Sequence, residues 1–211
     1  MSGNYIVIDE NNWKRSVHCQ VFRNRIDPTF RVTFELDITG FLKRIKEMNY
    51  SFTMALIFLI AECANGIEEF RYRFLDDQIV LYDKINTAFT YINQDTELFK
   101  VVSVEMQDTL EKYVAVAAEK AANQKEYFTD SLEKDIFLFS PLPWVSFTHI
   151  SGTIPGIRDN TAAPIFNWGK YFERDGKRIL PFSVQAHHSF VDGIHIGKLA
   201  DSLQNSLNEV D

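Results

Sequence analysis

The run FTMALIFLIAECA, residues 52–64, constrains the fold more than any other stretch of this chain. A helix that is apolar nearly all round must be buried on most of its sides. Its length of 13 residues, broken by Glu62, falls short of the roughly 20 residues that cross a bilayer. It therefore calls for a second layer to pack against. Ser51 is placed to cap it and Gly66 to end it. Hydrophobic residues make up 45% of the 211-residue chain, with 18 Phe, 8 Tyr and 3 Trp, enough for one sizeable core.

The second layer is legible as strands. Phe30–Thr39 alternates through Val32, Phe34, Leu36 and Ile38, the period of a half-buried strand. Thr39 then reads as the N-cap of a helix that carries Phe41, Leu42, Ile45 and Met48 on one face. Gln78–Tyr82 and Asn86–Ile92 read as strands, and residues 107–123 as an Ala-rich helix. Ile136–Ser140, Val145–Ile150 and Pro164–Trp168 are apolar or β-branched runs bounded by Pro and Gly, hence strands. Asp175-Gly176 signals a hairpin, and a last helix begins near Asp192. The pattern predicts a single α/β domain over residues 1–211. Its architecture is a two-layer sandwich, a mixed, mostly antiparallel sheet with helices on one face.

Several function classes are disfavoured. The net charge is −7 and the 22 basic residues are scattered, which gives neither a nucleic-acid nor an anionic-membrane footprint. The N-terminus has no apolar signal region, so a soluble cytoplasmic protein is expected. Cys19 and Cys63 have no metal-type or redox-type spacing, and Cys63 reads as a buried free thiol.

Chemistry concentrates in QAHHSFVDGIH, where three of the chain's five histidines fall within nine residues. Four readings compete on the residues alone. His187, His188 and His195 can be polar groups at a strand-to-helix junction, with Asp192 favoured at the helix N-terminus. His188, Asp192 and His195 can share a helix face as metal ligands, against which Gly193 and the lack of further ligands count. One imidazole can be a general base, since its neutral form is available near neutral pH. A Ser-His-Asp hydrolase lacks its G-x-S-x-G elbow here.

HHSFVDG matches the His-His-x-x-x-Asp-Gly signature of the chloramphenicol acetyltransferases. NWKR, LDITGFLK, EEFRYRF, TELFK, PLPWVSFT, APIFNWGKYF and LPFSVQAHHSFVDGIH also follow that family's order and spacing, over about residues 5–207. The chain resembles this family throughout. The resemblance implies a CoA-dependent acyltransferase-like fold, acetyl-CoA as co-substrate, no metal, and a homotrimer with active sites between subunits. It implies that His188 is the general base, that Asp192 pairs with Arg15 in structural support, and that Tyr171 packs on the CoA adenine. It implies an acceptor pocket lined by Phe99, Phe137, Leu138 and Ile165.

The sequence also departs from the family. His149 in SFTHIS stands where the family has a serine that donates to the oxyanion, with Thr148 and Ser151 as candidate substitutes. Asn167 replaces a threonine, and Cys19 and Gln20 replace an aromatic pair, which implies a rewritten acceptor wall.

Overall fold

The structure is a computed structural model that describes residues 4–128, 134–151 and 162–209. In chain order the elements are β1 (Tyr5–Val7), α1 (Ser16–Arg23), β2 (Thr29–Asp37), α2 (Thr39–Glu47) and α3 (Phe52–Asn65). Then come β3 (Tyr72–Leu75), β4 (Gln78–Tyr82), β5 (Asn86–Ile92), β6 (Phe99–Val104) and α4 (Leu110–Asn123). The chain closes with β7 (Ile136–Phe139), β8 (Ile165–Trp168), β9 (Phe172–Arg174), β10 (Lys177–His187) and α5 (Gly193–Glu209).

The main sheet runs β2-β10-β8-β7-β5-β6, with β9 paired to β10. The β5–β7 and β7–β8 pairs are parallel and the others antiparallel. A small sheet β1-β4-β3 stands beside it. The mixed, mostly antiparallel sheet covered by helices is the architecture that the strand pattern predicts.

The core explains the layering. Helix α3 buries ten of its residues, as its all-round apolar character requires, and Ser51 Oγ accepts from the Met54 N–H at its start. The sheet face toward the helices is an aromatic layer in which Phe166 lies within 5.2–6.2 Å of Phe139, Phe137 and Phe182. The opposite face carries Arg31, Thr33, Ser183, Gln185, Ile165 and Asn167, as the period-two register dictates. Among the described residues no helix is long and apolar enough to cross a membrane.

Three local expectations differ from the structure. Thr39 lies inside α2 rather than capping it, because the Asp37 carboxylate accepts both its N–H and its hydroxyl. Helix α4 starts at Leu110, with Thr109 as its cap. Val145–Ile150 is not a strand. Between Pro141, Pro143 and the Gly169 backbone the chain crosses over the sheet end, where the Lys170 N–H reaches Val145 O at 2.9 Å. A Cβ on Gly169 would stand 2.7 Å from that carbonyl, so only glycine admits this crossing. At Asp175 and Gly176 positive φ angles of 53° and 76° make the predicted hairpin turn.

Candidate active site

His188 is the first residue past the end of β10, and its N–H is held by Pro28 O at 2.9 Å. The ring lies flat on Phe22, with centroids 4.0 Å apart and planes 9° apart, and Phe30 closes another side at 4.7 Å. Its Nδ1 sits 3.1 Å from Asp192 Oδ1. The side chain nevertheless remains 36% exposed, so the other nitrogen is reachable.

Asp192 is gripped from its far side by Arg15, whose Nη1 and Nη2 donate to Oδ2 and Oδ1 at 2.7 and 3.2 Å. This is the bidentate fork that suits a guanidinium to a carboxylate. Arg15 is only 7% exposed, and its Nε also donates to Ser189 O at 3.3 Å. The Arg15 hydrogen bonds hold the Asp192 carboxyl below the usual carboxylate range. Asp192 is thus an acceptor at neutral pH, and the proton between it and His188 belongs to Nδ1. In the neutral form of the ring that tautomer puts the lone pair on Nε2.

Helix α1 builds this arrangement. Arg15 at its start, Cys19 and Phe22 are spaced i, i+4, i+7 and face the histidine motif together. Between the two outer residues, Cys19 O accepts from Ser189 Oγ at 3.3 Å. That spacing was available in the sequence and is the signal for Phe22 that the motif reading missed. Cys19 packs in the core at 1% exposure and Gln20 is exposed on the protomer, while Phe22, three residues beyond Cys19, supplies an aromatic surface beside His188.

The other histidines are engaged differently. His187 is buried, and its Nδ1 accepts from the Ser189 N–H at 3.2 Å. His195 Nδ1 accepts from the Asp192 N–H at 2.9 Å, and its Nε2 faces Glu69 at 3.5 Å. Because both His195 nitrogens are already directed at protein groups, the three residues do not converge as metal ligands. Among the described residues no group of three or more His, Cys, Asp or Glu is clustered to hold a metal.

The residues expected to line an acceptor pocket divide by sheet face. Leu138 and Ile165 are register partners on the open face. Asn167 lies two residues further along β8, its amide donating to Ser140 O at 2.8 Å. Phe137 does not join them. As Leu138's neighbour in a strand it must point the other way, and it lies fully buried against Phe166 and beneath the Arg73 guanidinium. Phe99 stands on the outer strand β6, edge-on to Phe128 at 5.7 Å and away from Leu138 and Ile165. Thr148, His149 and Ser151 are exposed in the segment that follows the Gly169 crossing.

Tyr171 is half-exposed beside Phe52 and lines a cleft of about 370 Å³ with Leu42, Ile45, Lys46, Asn49 and Tyr50. It is therefore not an isolated tyrosine on the sheet surface.

Comparison with known proteins places this architecture. The fold is shared with a solved structure described as a probable dihydrolipoamide acetyltransferase from Listeria monocytogenes, at TM-score 0.68 and 16% identity, covering 98% of this chain and 94% of that one. A solved chloramphenicol acetyltransferase superposes at TM-score 0.88 with 26% identity, covering 97% of this chain and all of the other. A two-layer acyltransferase fold with a histidine at the end of β10 is thus the class.

The family model for chloramphenicol acetyltransferase matches residues 3–204, and the chain belongs to that family. A curated chloramphenicol acetyltransferase from Klebsiella sp is 31% identical over 208 residues, covering 97% of this chain and 94% of that protein. Chloramphenicol acetyltransferase 2 of Haemophilus influenzae is 33% identical over 205 residues, covering 95% and 96%.

Proposed function

We propose that the protein transfers the acetyl group of acetyl-CoA to a hydroxyl of chloramphenicol or a similar small acceptor, with His188 as general base. The observation that carries this reading is the fixed ring of His188, with Nδ1 turned to Asp192, one face on Phe22 and Nε2 open. Nε2 accepts the acceptor's hydroxyl proton as that oxygen attacks the thioester carbonyl. The tetrahedral intermediate collapses to the acetyl ester and the CoA thiolate, which takes the proton back from His188. No acyl-enzyme forms. A positioned base of this kind contributes about 10²–10⁴-fold.

The Tyr171 cleft suits the nucleotide end of acetyl-CoA. Tyr171 and Tyr50 offer ring faces to an adenine, and Lys46 offers a cation to phosphate. The nine residues from Ile179, level with β9, to His188 correspond to roughly 30 Å of strand at 3.3 Å per residue. A cleft and a base this far apart in one protomer favour a site completed by a second copy, as in a homotrimer with interfacial active sites. The exposed Trp144, Val145 and Ile194 side chains agree with a surface covered in such an assembly.

The test is thiol release from acetyl-CoA by purified protein, with chloramphenicol and other hydroxyl acceptors, and with His188→Ala. Acceptor-dependent release that disappears in the variant is expected. Turnover that survives His188→Ala overturns the assigned base.

A second reading is favoured by one residue. His149 replaces an oxyanion donor whose loss typically costs about 10²–10³ in rate, which would leave a low-turnover relative that binds CoA and acceptor. Calorimetric binding of both ligands without product supports that reading. A faster His149→Ser variant identifies the missing serine as the limit.

A further inference from the structure

Behind the His188–Asp192 contact lies a second pair that the reaction outlined above does not use. His195, three residues after Asp192, is 7% exposed, and its Nδ1 accepts the Asp192 N–H at 2.9 Å. The geometry is half of a capping box, in which the third helical residue reaches back to the N-cap amide. The other half is missing. An aspartate at an N-cap ordinarily turns its carboxylate onto the N–H groups of the first turn. Here the Asp192 carboxylate is turned to Arg15 and His188.

The tautomer of His195 follows from its partners. Nδ1 accepts, so the ring proton sits on Nε2, 3.5 Å from Glu69 Oε1. Glu69 is itself largely buried, with Lys14 Nζ 3.6 Å from the same oxygen. Lys14 also approaches Glu68, and Arg15, Asp192 and Lys198 are the remaining charges that His195 senses. Burial pushes the His195 pKa down, which agrees with a neutral ring.

We propose that Glu69 and His195 are positioning residues: by holding the Asp192 amide they fix the turn that enters α5 and so keep the Asp192 carboxylate on the Nδ1 of His188. Without an acceptor for that amide the turn loosens, the carboxylate no longer meets Nδ1 squarely, and His188 is free to rotate or change tautomer. The inference rests on His188 being the base.

The experiment compares His195→Leu, which removes the acceptor, with His195→Gln, which keeps one at the same place. Two signals are read, acetyl transfer and the ring-nitrogen NMR resonances of His188. In His195→Leu, kcat falls about tenfold with the KM for acetyl-CoA unchanged, because a misplaced base slows only the chemical step. The His188 resonances in that variant lose the fixed Nδ1–H form, and His195→Gln restores both signals. His188 resonances of wild-type form in folded His195→Leu overturn the proposal. If His195→Leu does not fold, Glu69→Leu against Glu69→Gln decides. A change in the leucine variant alone supports the proposal, and no change in either overturns it. If the wild-type protein transfers no acetyl group, the reading of His188 as base fails, while the resonances still report whether the pair fixes its ring.

Discussion

Nδ1 of His188 lies 3.1 Å from Oδ1 of Asp192, on a carboxylate that Arg15 already holds through two N–H groups. The aspartate is therefore shared between a buried cation and a half-exposed imidazole. Arg15 keeps the carboxylate ionised, and the ionised carboxylate keeps the His188 proton on Nδ1.

Removing the cation uncovers both effects. Arg15→Ala is expected to cost about 2 kcal/mol in urea denaturation, less than a fully buried broken pair because Asp192 keeps some water. Arg15→Lys retains the charge but loses the fork, and its stability should fall between the two. Both variants should also slow acetyl transfer, read as thiol release.

Phe22 gives His188 its flat wall, so Phe22→Ala frees the ring to rotate. A fall in kcat of about tenfold is expected, with little change in melting temperature, since Phe22 is only partly buried. Phe22→Tyr keeps the ring face and should retain most of the rate.

Acid should destabilise the protein before its carboxylates titrate. Burial pushes the His187 pKa from 6.5 to about 4, with His188 adding to the shift. The unfolded chain thus binds a proton that the folded one refuses between these values. Stability is full above pH 6.5 and declines as pH falls toward 4, by about 3 kcal/mol for this residue. The lowered His195 acts in the same direction. Asp192 and Asp37, whose carboxyls are held low, weaken the fold only below the ordinary carboxylate range. Urea midpoints from pH 7 to 4.5 measure the slope, and His187→Gln should flatten it.

Gly169 is a steric requirement. Gly169→Ala places a Cβ 2.7 Å from Val145 O, a backbone atom that cannot swing aside. A cost of about 1–3 kcal/mol is expected in thermal or urea unfolding. The segment that carries Thr148 and His149 should shift with it, and proteolysis between residues 145 and 151 should accelerate.

Much of the molecule was legible in its sequence. The all-round apolar character of residues 52–64 determined a buried helix, and period-two alternation determined β2. Asp175-Gly176 determined the hairpin, and the HHSFVDG motif placed a histidine and an aspartate four residues apart. Alternation also forbade Phe137 and Leu138 from sharing a face, although the family resemblance grouped them. These are local properties, set by helix and strand geometry and by the chemistry of a few side chains.

Only the tertiary structure decided the rest. Val145–Ile150 has strand composition, yet two prolines and the close passage over Gly169 give it no strand partner. Phe22 becomes the wall of His188 because α1 packs against the turn after β10. Tyr171 becomes part of a cleft because the end of α2 and the start of α3 meet beside it. Glu69 and His195, 126 positions apart, meet only when the turn after α3 packs against α5. Contacts between distant segments depend on how the layers close, and no local periodicity records that.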